Sequence, residues 1–191
     1  MANVKTGFSE PFVALYSVSG STVTYTSGQK LARGVSASLT VNAGDDNGFY
    51  ADNILAETAA GVFLDGELTL TVDGLSEAAE KLIMGLPTLS GDWYDYGDSQ
   101  SIPDVGIAFI VRTMYLGTPG WQAIAFPKCR FNPIGLEAST QEEQISWQTQ
   151  ELVAKIFRDD STNHTWKKLG EVQTTEAAAL TDIKTLFSIT P

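Results

Sequence analysis

The residue types that carry most enzyme chemistry are scarce in this chain. It has a single histidine, His164, and a single cysteine, Cys129. Together they are too few for a zinc site built from His and Cys. His164 lies beside a turn with no acid in sequence to orient it, so it reads as a solvated loop histidine rather than a general base. Cys129 sits between Lys128 and Arg130, a neighbourhood that would favour a thiolate. A strand cysteine with no second histidine to partner it reads as inert. No intrachain disulfide can form. Phosphate-cradling GxxxxGKS/T and GxGxxG loops are absent, and so is a GxSxG elbow. The similar run GVSAS (Gly34 to Ser38) falls in a strand pattern.

Carboxylates are plentiful, so two further chemistries need weighing. Asp92, Asp95 and Asp98 alternate with Trp93, Tyr94 and Tyr96, as at a sugar-binding rim. A glycosidase needs two carboxylates fixed at a defined separation, and a loop does not supply that rigidity. Asp45-Asp46-Asn47-Gly48 lacks the alternate-residue ligands and the closing glutamate of a twelve-residue calcium loop. The expectation is therefore no enzyme, no metal and no cofactor. Loop aromatics are also typical anchors of protein interfaces, which points to surface contact as the function.

The charge pattern is lopsided. Net charge is −11 over 191 residues, yet Val41 to Ile110 holds 13 acids and one base, Lys81. The rest of the chain is nearly balanced. A protein that clamps nucleic acid needs Lys and Arg against phosphates, and an anionic membrane surface asks for the same. Both are disfavoured here. The excess fits either a solvated acidic face or a surface that must not hold a polyanion moving past it. No apolar run is long enough for a membrane helix, and Met1 to Glu10 lacks the pattern of a secretory signal.

The elements that would position these residues are short strands. Phe12 to Val18 and Thr22 to Thr26 are rich in β-formers, with a turn at Ser27-Gly28. Val35, Ala37, Leu39 and Val41 alternate with polar residues, as do Leu68, Leu70 and Val72, which predicts two strands with one buried face each. Leu75 to Leu86 changes to a helical period, with Ser76 as N-cap and Gly85 as stop. Val105 to Val111 is apolar on both faces, as a central strand is. A type II turn over Pro119-Gly120 would lead into Trp121 to Phe126. Pro127 and Pro133 mark the next piece as edge or bulged strand. Alternation at Ile145 and Trp147, Glu151 to Arg158, and His164 to Leu169 add strands. Residues 174–187 form a helix capped by Thr174 or Thr175, with Ala179, Leu180, Ile183, Leu186 and Phe187 inward. The fold class is mainly β, an antiparallel sandwich or barrel with one packed amphipathic helix and a C-terminal helix. It is expected as a single domain over residues 1–191. Residues 1–11 read as a flexible arm, and 42–57 and 86–104 as long loops.

Six blocks, in order and spacing, carry a resemblance that spans nearly the whole chain. They are GFSEPFVALY (Gly7 to Tyr16), GFYADNILAE (Gly48 to Glu57), GELTLTVDGLSEAAEKLIMG (Gly66 to Gly85), VGIAFIVR, PKCRFNP and EQISWQTQELVAKIFR. In these the chain resembles the major tail proteins, or tail tube proteins, of long non-contractile-tailed bacteriophages and prophages. The resemblance implies a tail-tube subunit that joins hexameric rings, stacked around a tape-measure protein and bounded by terminator and initiator proteins. The tube would conduct DNA without holding it. The protein would be made in the host cytoplasm and reside in the virion. An immunoglobulin-like C-terminal decoration, present in some relatives, is not expected after Pro191.

Under that resemblance the candidate subunit or ring contacts are Phe8, Phe49, Tyr50, Asp52, Trp93, Tyr94 and Tyr96. The candidate acidic lumen is Asp45, Asp46, Asp65 and Glu67. The alternative is a monomeric β-sandwich binding module, carbohydrate-binding or a virion accessory protein, using the aromatic run 92–98. A ring component of a contractile injection system would share the tube architecture.

Overall fold

The computed structural model describes residues 4–45, 47–51, 54–59, 61–87, 93–98, 100–136 and 148–189. Its elements are β1 (Val4–Ser19), β2 (Thr22–Lys30), β3 (Gly34–Ala43), β4 (Asn47–Ala51), β5 (Ile54–Ala59), β6 (Phe63–Val72), α1 (Glu77–Met84), β7 (Val105–Tyr115), β8 (Thr118–Phe131), β9 (Gln150–Phe157), β10 (Lys168–Gln173) and α2 (Glu176–Leu186). All the strand pairs are antiparallel. The main sheet runs β2-β1-β7-β8-β9-β6-β3, with β10 also on β8. It is not closed into a barrel.

The sheet turns back on itself at β8. Trp121 to Ala125 pair with β10, and Lys128 to Phe131 pair with β9. The change of partner coincides with a register shift against β7 between Ile107↔Phe126 and Val105↔Cys129. Pro127 sits in that bulge, where its missing N–H costs no ladder bond. The bulge predicted from this proline is real, but β8 is an interior strand rather than an edge.

Two cores result. One face of β7, with Ile107 and Phe109, packs with Leu68 and Leu70 of β6, Leu152 of β9, and Ile83 of α1. The other face, with Ala108 and Ile110, packs with Ala179, Ile183 and Phe187 of α2. β7 is apolar on both sides because it is covered on both sides. Full burial of each large side chain contributes roughly 1.5–3 kcal/mol.

Both helices lie where their periods and caps place them. Ser76 Oγ accepts from Ala79 N, and Gly85 ends α1 in the left-handed region. Thr175, rather than Thr174, caps α2 through Ala178 N.

Several sequence expectations are corrected. The arm over residues 1–11 is strand from Val4 onward, because the open edge of β7 satisfies its backbone from Val4↔Met114 to Ser9↔Ile110. Gly34 makes room for this strand: a Cβ there would lie 2.1 Å from the Phe8 ring, which also meets Phe109 edge-on at 5.0 Å. Ser27-Gly28 is a bulge within β2 and not a turn, since pairing with β1 resumes beyond it at Val13↔Gln29. The loop over 42–57 is the end of β3 followed by the β4–β5 hairpin, paired through Gly48↔Thr58 and Phe49↔Glu57.

The β7–β8 turn is Leu116-Gly117, three residues earlier than predicted. Both have positive φ (46° and 82°), the geometry that matches strand twist in two-residue hairpins. His164 is at a turn with φ 48°, and the strand expected from it begins only at Lys168. Buried Asp159 holds that turn by accepting from Ser161 N, Ser161 Oγ and Thr165 N. The alternation at Ile145 and Trp147 lies outside the described residues.

Candidate functional site

β3 should bury one face by its alternation, and the structure buries only part of it, with Leu39 packed on the first core. Val35 is 55% exposed and Val41 42%, with Ala37 exposed and Leu39 half-buried. Among the described residues β3 is the last strand of the sheet, paired only to β6, so one row of its backbone N–H and C=O groups has no described strand beside it. An apolar face and an open ladder on the same strand make a ready template for another chain. Val62 and Leu64, at the start of β6, are exposed too.

The opposite face of β3, β6 and β9 is polar. Ser36 Oγ donates to Thr71 Oγ1 at 2.9 Å, and Asn42 Nδ2 donates to Asp65 Oδ1 at 2.5 Å. Glu67 is exposed between Thr40 on β3 and Lys155 on β9. Asp65 and Glu67, two of the candidate lumen acids, therefore share one hydroxyl-rich sheet face. Asp45 is exposed beyond the end of β3, and Asp46 lies outside the described residues. Other acids of the excess have local partners. Asp73 accepts from Arg33 N and lies 3.7 Å from its Nε. Asp104 binds Arg130 at 2.7 Å and approaches Lys128 at 3.9 Å. The acidic segment is thus not one surface.

The aromatic run divides in the same way. Described residues 93–98 carry neither helix nor strand. Tyr96 Oη donates to Glu80 Oε1 at 2.5 Å. Partial burial and that carboxylate push its hydroxyl up to about 12. Tyr94 is half-buried, under Lys81 at 5.4 Å, and the hydrogen bond to Glu77 raises its pKa. Both tyrosines thus tie the loop to α1, which the alternation of Asp and aromatic residues did not reveal. Trp93 is left free of that packing, 81% exposed.

Of the other candidate contacts, Phe8 is half-buried against the first core. Phe49 and Tyr50 stand on β4, opposite Glu57 and Leu55. Asp52 lies outside the described residues.

The remaining reactive groups are built into the fold. Cys129 is fully buried, and burial holds its thiol well above the usual range. Tyr16 Oη donates to Asp160 Oδ2 at 2.8 Å and accepts from Asp160 N at 3.0 Å. Desolvation foremost pushes the Tyr16 hydroxyl to about 12. Lys128, 2.7 Å away, and Tyr16 hold the Asp160 carboxyl below its ordinary value. Among the described residues no His, Cys, Asp and Glu side chains cluster to hold a metal ion. No helix among them is long and apolar enough to cross a membrane. No protein-family model matches the chain, and no curated protein matches it.

Proposed function

We propose that this chain is a structural, non-enzymatic subunit that polymerises with itself into the tail tube of a long non-contractile-tailed phage. The rings would be hexameric and stacked around a tape-measure protein between initiator and terminator proteins. The observation that carries the reading is β3: an edge strand of the described sheet whose apolar alternate face keeps Val35 and Val41 exposed and only Leu39 packed on the core. Evolved monomers blunt such edges with charge, proline or a bulge. β3 has no charged residue and no proline between Gly34 and Ala43, and its register against β6 shifts only at its two ends. Pairing with a neighbour would satisfy its ladder and bury its face in one step. The resemblance of the six sequence blocks supports the same reading.

The polar face bearing Asp65 and Glu67 suits the lining of a DNA conduit, since hydroxyls and carboxylates prevail on it over the lysine Lys155 and leave phosphates little to pair with. The monomeric glycan-binding alternative has less support. It asks for a platform of aromatics, and two of its three are tied to α1.

Negative-stain electron microscopy of the purified protein at low and high concentration tests the proposal. Rings or hollow tubes are the expected result. Monomers at every concentration, both alone and with an initiator complex, would sink it and redirect the search to a glycan screen.

A further inference from the structure

The sheet leaves a mouth between β1 and β3. From Val4 to Ser9 β1 pairs with β7, β3 pairs with β6, and no ladder among the described residues joins β1 to β3. A groove of about 490 Å³ opens there. Gly7 and Ala37 are small residues on its two lips, and the Phe8 ring, packed over Gly34, forms one wall. The floor belongs to the first core, since Leu68, Phe109 and Phe126 line it and are themselves buried. Lys5 and Lys167 line the same groove.

Neither lysine makes an ion pair with another described residue. Burial first, and then the neighbouring charge of Lys5, lower the pKa of Lys167. Two like charges beside apolar side chains, with no counterion, call for an anion. A bare anion would leave the floor in water, whereas an apolar tail would cover it. A peptide strand suits the floor poorly, because buried apolar side chains offer no partners to its N–H and C=O groups. The volume falls in the range of pockets that hold one small molecule, roughly 300–1,000 Å³.

We propose that the β1–β3 mouth binds a small amphipathic anion, its apolar tail on Phe109 and Phe126 and its carboxylate against Lys5 and Lys167. The tail supplies burial, and the two ammonium groups fix which end stays at the lip. The inference stands apart from the assembly reading, because it concerns a site within one subunit.

The test titrates the full-length chain with decanoate by calorimetry, below the concentration at which it assembles. Binding should saturate, and NMR amide shifts should gather at Leu39, Phe109 and Lys167 rather than on α2. Decanol keeps the tail without the charge and should bind about tenfold or more weakly. Lys5→Gln/Lys167→Gln should weaken decanoate by a similar factor and leave decanol nearly unchanged. Ala37→Trp, which fills the mouth from an exposed position, should abolish binding of both, with circular dichroism verifying that each variant is folded. No saturable uptake of decanoate by wild type would overturn the inference. Equal affinity for decanol would remove the lysines from it. Uptake that survives Ala37→Trp, or shifts centred on α2, would place the ligand elsewhere and overturn the site.

Discussion

β7 and β3 are both antiparallel strands rich in β-branched and aliphatic residues, yet they have opposite fates. β7 has β6, β9 and α1 over one face and α2 over the other, and its residues from Val105 to Val111 are all buried. β3 carries a regular apolar alternation, but Val35 and Val41 remain open to solvent and one side of its ladder is unpaired among the described residues. The difference lies in position within the sheet. An interior strand draws its cover from both sides, and the described residues leave part of this edge strand's apolar face open. β7 therefore carries folding, and under the proposed function β3 is where a neighbour would act.

The comparison can be broken by exchanging the perturbation between the two regions. Phe126→Ala removes a ring buried beside β7 and should cost about 3–5 kcal/mol in urea denaturation. Val35→Lys/Val41→Lys on β3 should leave monomer stability within about 0.5 kcal/mol per site. It should abolish rings and tubes in electron micrographs. A large loss of monomer stability would mean that β3 is already covered in the free chain.

Smaller changes sharpen the picture. Ser76→Ala removes the α1 cap and should cost about 1 kcal/mol. Because α1 carries the loop bearing Trp93, the same change should also raise proteolysis between residues 93 and 104, read by mass spectrometry. Asp160→Asn should have the smallest effect. Lys128 and Tyr16 lower the Asp160 pKa on folding, so this carboxylate stabilises above its unfolded pKa, near 3.8. That stabilisation is lost as pH falls through the still lower folded value. The melting temperature of the variant should fall slightly below wild type at pH 7 and converge with it in strong acid. Equal melting temperatures at every pH would show that the Tyr16–Lys128 contacts add nothing in solvent.

Much of this protein was legible in its residues. Local chemistry set both helices, since Ser76, Gly85 and Thr175 act within one turn of where they stand. The two-sided apolar run of β7 announced a central strand, and Pro127 announced a bulge. The turn at Leu116-Gly117 was misread because Pro119-Gly120 is the louder local signal, and only pairing of Tyr115 with Thr118 settles the choice. The N-terminal strand was missed for a related reason. Residues 4–9 have weak strand propensity, and their order comes from the open edge of β7 and the gap over Gly34.

The candidate site was harder to read, because a sequence period reports which face is apolar and says nothing about what covers it. The residues alone determined a mainly β chain with two capped helices, few catalytic groups and an acidic middle. Tertiary structure decided that the acids are dispersed among ion pairs, helix contacts and one polar sheet face. It also decided that Tyr94 and Tyr96 are held while Trp93 is free, and that β3 lies at the edge. These are outcomes of tertiary pairing, where an element's neighbours come from distant segments, as β7 does for β1 and β9 for β6. Propensity and period act over a few residues and carry no information about that distance.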